Sequence, residues 1–148
     1  MLFRSSPSDL SLAAVDAGPG SFTGTRVGVA FAKALGYAAG VPLAAVSSLE
    51  ARASEAATEG TVSVVLDARR GCVYAALFRA EGGGLRRLMD DCLLPEGEVP
   101  PADRRLGELP APSPLTIARL GASAPRVTPL ALAPVYLRRV EAQERRSP

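Results

Sequence analysis

Seven residues, Gly18-Pro19-Gly20-Ser21-Phe22-Thr23-Gly24, constrain the fold of this chain more than any other stretch. Glycine accepts positive φ without strain and proline holds φ near about −65°, so three glycines and a proline leave one narrow backbone path. The apolar run Leu10 to Val15 leads in and predicts a strand. A helical pattern over Thr25 to Ala39 leads out, and Gly40-Val41-Pro42 stops it. Strand, tight loop and helix N-terminus together form a generic anion site. Gly18, Gly20, Ser21, Thr23 and Gly24 are therefore the candidate nucleotide or anion contacts. The spacing matches neither phosphate fingerprint. A P-loop needs Gly-Lys-Ser/Thr where Gly24-Thr25-Arg26 stands, and a dinucleotide motif needs glycine where Thr23 stands.

The helix after the loop has an unusual surface. Gly28, Ala32 and Gly36 recur every fourth residue and read as a groove for a second backbone, while Val27, Phe31, Leu35 and Ala38 form a bulkier stripe. Apolar character around most of the circumference predicts packing on more than one side. Arg26 falls in the first turn, where the helix dipole disfavours a cation by about 0.3–1 kcal/mol. That position calls for a negative neighbour: Asp16, a phosphate or a partner's carboxylate.

Downstream, Leu43 to Val46 reads as a second buried strand and Ser47-Ser48 opens a helix to about Ala57, which is a parallel α/β pattern. Val62 to Asp67, Val73 to Phe78 and Leu85 to Leu94 then predict an antiparallel meander. Nine of the 13 prolines lie between Pro95 and Pro134, leaving room for one short helix near Leu115 to Leu120 and an extended tail. The break near residue 58 divides a first α/β lobe, residues 1–58, from a second β-rich lobe, residues 59–148.

Composition limits the chemistry. With no histidine among 148 residues, Ser-His-Asp, Cys-His and histidine-ligated metal sites are excluded. Asp16 and Asp67, both at strand ends, are the remaining thought for a hard cation, and Cys72 beside Arg69-Arg70 for a reactive thiol. Cys72 and Cys92 have no metal or redox spacing, no apolar signal core opens the chain, and no run suits a membrane span, so the expectation is a cytosolic protein with free thiols. Net charge is only +2; the arginines read as a solvated surface, with Arg138, Arg139, Arg145 and Arg146 making a basic tail.

Residues 18–52, GPGSFTGTRVGVAFAKALGYAAGVPLAAVSSLEAR, closely resemble the TsaB (YeaZ) family. VVLDARRGCVYAALFR at 64–79 is similar to its Asp-Ala-Arg hairpin, and APVYLRR at 133–139 to its C-terminal signature. The resemblance implies an actin-like, ribonuclease-H-like (ASKHA) α/β fold. It also implies a non-catalytic subunit in forming N6-threonylcarbamoyladenosine at position 37 of tRNA. Members of that family pair with the TsaD subunit through a helical bundle, work with the ATPase TsaE, also form homodimers, and meet tRNA indirectly. On this reading the chain has no cofactor of its own, ATP entering only in the full complex. The partner surface is expected on the first helix, at Arg26, Gly28, Val29, Ala32, Lys33 and Gly36. The departures are Cys72, where the family has Glu, a shortened Pro-rich region, and an apparently missing N-terminal strand hairpin, strand and helix, by truncation or a misassigned start. A small ATPase or phosphotransferase of the actin-like superfamily is the alternative.

Overall fold

The computed structural model describes residue 6, residues 9–107 and residues 109–137. The basic tail from Arg138 onward lies outside the described residues.

The first sheet starts with β1 (Ala13–Asp16), followed by α1 (Phe22–Ala39) and β2 (Leu43–Val46). The Ser21 hydroxyl caps α1 by accepting the Gly24 N–H at 3.3 Å. Gly40 ends the helix in the left-handed region at φ 68°, its N–H on the Gly36 carbonyl. β1 and β2 are parallel, from Ala13 opposite Leu43 to Asp16 opposite Val46. The strand expected from Leu10 thus begins at Ala13, and Asp16 is its last residue.

α2 (Ser48–Ala56) follows at once, its cap Ser47 accepting the N–H groups of Leu49 and Glu50 at 3.1 and 3.2 Å. β3 (Gly60–Asp67), β4 (Cys72–Glu81) and β5 (Gly84–Pro95) form the expected antiparallel meander. The Pro-rich region holds β6 (Arg104–Leu106), parallel to β3, then α3 (Pro114–Ser123) and β7 (Arg126–Val127), antiparallel to β2. The sheet orders are β1-β2-β7 and β5-β4-β3-β6. β6 and β7, three and two residues long, escape any periodicity reading.

Two helices cover the first sheet. Leu43 packs with Val29 and Ala32 of α1. Its neighbour Ala44 faces α3, where a Cβ on Gly121 would lie 3.5 Å from the Ala44 Cβ and closer still to that of Ala14. Successive strand residues point to opposite faces, so α1 and α3 sandwich the sheet. α2 instead lies on the second sheet, with Leu49 and Ala53 against Val62, Val64, Ala76, Phe78 and Leu106. Val65, Val73 and Ala75 fill the other face with Met89, Cys92, Leu94 and Val99. The break near residue 58 coincides with the change of sheet, but α3 and β7 return to the first one.

Candidate functional site

The glycine loop is held from within. Asp16 Oδ1 accepts from the Gly18 N–H at 2.9 Å and from the Ser48 hydroxyl, while the Ser48 N–H donates to the Gly18 carbonyl at 2.8 Å. Asp16 is therefore a loop clamp and does not pair with Arg26. Gly18 takes φ +98°, and a Cβ there would stand 3.3 Å from Thr25 Cγ2, so this position requires glycine. Asp67 acts locally as well, accepting the Arg69 N–H at 2.7 Å in a hairpin where Arg69 and Arg70 adopt φ +64° and +58°. No group of three or more His, Cys, Asp or Glu among the described residues could hold a metal.

An open cleft of about 450 Å³ lies at the far end of α1, between Tyr37, Pro42 and Pro129. A second, about 360 Å³, adjoins the loop, with Asp16, Gly20, Ser21, Gly24, Ser48 and Arg52 among its walls. Of the nominated anion contacts, Gly20, Ser21 and Gly24 line it, Gly18 is buried, and Thr23 is exposed outside its wall. Its donors are partly spent: the Gly24 N–H is on Ser21 Oγ, and Arg52 Nη1 is on the Ser48 carbonyl at 3.4 Å. Arg52 Nε has no hydrogen-bond partner but is sealed from solvent. Both cysteines are free, and burial, helped by Asp91 and Asp90, pushes the Cys92 thiol up.

α1 presents the larger feature, and of the residues nominated for the partner face Val29, Ala32 and Gly36 lie on its inner side while Arg26 is exposed. Val29, Ala32 and Gly36 are buried against the chain's own sheet. A Cβ on Gly36 would be 2.7 Å from Leu43 Cδ2, so the small residues admit the sheet and not another molecule. Gly28 sits half-buried above Val15, and Lys33 donates from Nζ to the Leu132 carbonyl at 3.1 Å. The opposite face is open: Val27, Phe31 and Tyr37 are 64%, 71% and 81% exposed, with Ala30, Ala34 and Ala38 exposed between them. Spaced at helical intervals, these residues form one continuous apolar stripe. The bulkier stripe was legible in sequence; which stripe meets the sheet was not, because both are apolar.

At the N-terminal end of this stripe the Arg26 guanidinium lies 5.0 Å from the Phe22 ring centre, and Phe22 leans on Tyr136 at 5.6 Å. The C-terminal segment is anchored beneath, Val135 N–H donating to the Ala17 carbonyl at 2.8 Å. No helix among the described residues is long and apolar enough to cross a membrane.

The two sheets and their helices, in this order, belong to an actin-like α/β fold. A solved Pseudomonas aeruginosa protein, described as uncharacterized with similarity to peptidase YEAZ, superposes with a TM-score of 0.75 at 25% identity, covering 90% of this chain and 76% of that one. The family model for TsaD, tRNA N6-adenosine threonylcarbamoyltransferase, matches residues 3–110, and the chain belongs to that family. The tRNA threonylcarbamoyladenosine biosynthesis protein TsaB of Bacillus subtilis is 44% identical over 86 residues, 57% of this chain and 38% of the relative. An uncharacterized Mycobacterium leprae protein is 38% identical over 148 residues, 91% of this chain and 40% of the relative. The chain thus spans about two fifths of the length of these curated relatives.

Proposed function

We propose that this chain is a TsaB-like, non-catalytic subunit in the formation of N6-threonylcarbamoyladenosine on tRNA, and that it works by docking a TsaD-like subunit. The observation that carries this reading is the apolar stripe of α1 around Val27 and Phe31, uncovered among the described residues. A contiguous stripe of that kind marks an interaction site. Membership of the family supports the pathway, and the 44% identity to a TsaB protein supports the subunit.

On this reading the partner surface is Val27, Phe31, Ala34 and Ala38, flanked by Arg26, with Val29, Ala32 and Gly36 supporting it from behind. The protein acts in the cytosol, meets tRNA through its partner, and joins a TsaE-like ATPase in the full complex. ATP enters only there; Gly20, Ser21 and Gly24 are at most an accessory anion contact. The test is co-elution of this chain with the TsaD-like subunit on a sizing column, together with calorimetry of the chain alone against ATP. Co-elution without ATP binding supports the reading, whereas separate elution with tight ATP binding supports the actin-like ATPase instead.

A further inference from the structure

The hairpin between β3 and β4 turns through three consecutive left-handed residues, Arg69 at φ +64°, Arg70 at φ +58° and Gly71 at φ +71°. Glycine enters that region without strain, a residue with a Cβ does not, and tight hairpin turns of this kind favour asparagine and glycine. Two arginines therefore stand where Asn and Gly would strain the backbone less. The turn does not need their side chains to close. The Ala68 N–H donates to the Cys72 carbonyl at 3.0 Å, the Cys72 N–H to the Arg69 carbonyl at 3.2 Å, and the Glu96 N–H to the Gly71 carbonyl at 3.0 Å. Asp67 Oδ1 accepts the Arg69 N–H at 2.7 Å. These bonds use only the main chain of residues 69–71, so asparagine or glycine there would make them as well. Strain retained in an exposed turn points to a use for the two side chains.

The surroundings of the turn decide which anion suits it. Asp67 flanks the pair, and Glu96, whose N–H holds the turn, carries a carboxylate that pairs with Arg105 at 3.1 Å. Such acidic neighbours repel a continuous run of phosphates. One or two discrete carboxylates are a better match, because each planar guanidinium can meet one through two parallel hydrogen bonds. We propose that the Arg69-Arg70 tip is a docking contact for neighbouring carboxylates on a protein partner other than the one that meets α1. This inference rests on the reading of the chain as a subunit of a complex, and the TsaE-like ATPase is the partner it assigns to the tip.

The experiment assembles the full chain with the TsaD-like subunit and measures the affinity of that pair for the TsaE-like ATPase by calorimetry at about 0.1 M salt. The double variant Arg69→Asn with Arg70→Gly removes both guanidiniums and relieves the turn. Its melting temperature should rise by about 2–4 °C while its affinity for the ATPase falls by about tenfold or more. Arg69→Lys with Arg70→Lys keeps the charges but not the planar forks, and should bind with an affinity between the two. Greater stability with weaker binding is the signature of a side-chain contact; a purely structural pair would lose both. A lower melting temperature in the Asn-Gly variant shows that the arginines hold the hairpin and overturns the proposal. ATPase affinity equal to wild type overturns it too. Loss of tRNA binding with unchanged ATPase affinity assigns the tip to a phosphodiester and likewise contradicts it. Affinity for the TsaD-like subunit should be the same in wild type and variant. If the wild-type chain fails to bind that subunit, the docking role of α1 has failed, and calorimetry of the chain alone against the ATPase then tests the tip by the same comparison.

Discussion

The hydroxyl of Ser47 donates a 2.6 Å hydrogen bond to Asp91 Oδ2, joining the start of α2 to β5 across 44 residues of sequence. The next residue, Ser48, donates to Asp16 at the end of β1. Two consecutive serines therefore hold both sheets at the point where the chain passes from one to the other. Arg87 completes the seam, bonding Asp91 at 2.5 Å and Glu50 at 2.8 Å while its guanidinium lies over the Phe78 ring at 4.8 Å. Burial opposes the charge on Arg87, but the hydrogen bonds it donates to Asp91 and then Glu50 outweigh it and raise its pKa.

Ser47→Ala removes the α2 cap and leaves Asp91 with one fewer donor. A loss of about 1–2 kcal/mol is predicted in urea unfolding, the usual range for a lost cap. A change within error would show that the seam bears no stability.

Gly36 and Gly28 lie on one helix but meet different surroundings. A Cβ at Gly36 would reach 2.7 Å from Leu43 Cδ2 and 3.2 Å from Pro129 Cγ, whereas at Gly28 the nearest atom is Val15 Cγ2 at 3.9 Å. Gly36→Ala should cost about 1–3 kcal/mol through overpacking, and Gly28→Ala should gain up to about 1 kcal/mol from helix propensity. Melting temperatures that move in the same direction in both variants contradict this reading of α1. Ala32→Leu belongs with Gly36→Ala, since Ala32 is buried against the sheet, and so cannot serve as a probe of partner binding alone.

Acid should weaken the joint between β3 and the segment before β6. The Thr61 N–H at 2.7 Å, then its hydroxyl at 2.8 Å, hold the Asp103 carboxyl below the usual range, with Arg79 adding to the effect. A folded pKa below the unfolded one means that the stabilisation is present above the unfolded value, about 3.9, and disappears as pH falls through the folded value. Asp103→Asn should therefore melt below wild type at neutral pH, the gap closing in strong acid. A gap that is constant with pH contradicts the assignment.

Legibility in the sequence followed length and contrast. Leu43 to Val46 and the three meander strands showed because apolar runs there are bounded by Gly, Pro and Asp-Ala-Arg turns. β7 pairs through Leu43 opposite Val127 and Ala44 opposite Arg126, a contact made 84 and 82 residues downstream that no local pattern records. The Gly28-Ala32-Gly36 row reads in sequence as a groove for a second backbone. It is a groove, but Leu43 fills it at Ala32 and Gly36 and Val15 lies over Gly28, because an alanine-rich helix offers two apolar sides and only the sheet decides between them. The Gly18–Gly24 loop suggests an anion cradle; Asp16 and Ser48 engage the N–H and carbonyl of Gly18 and so fix the start of that loop.

The most direct test of the account is the affinity of Phe31→Glu for the TsaD-like subunit, with its fold verified by circular dichroism. Phe31 is 71% exposed, so the substitution leaves the core untouched. Binding should weaken by about thirtyfold or more, as expected when a central aromatic anchor is lost and a charge is left in an apolar contact. Wild-type affinity in this variant would contradict the claim that the outward face of α1 is where this protein meets its partner.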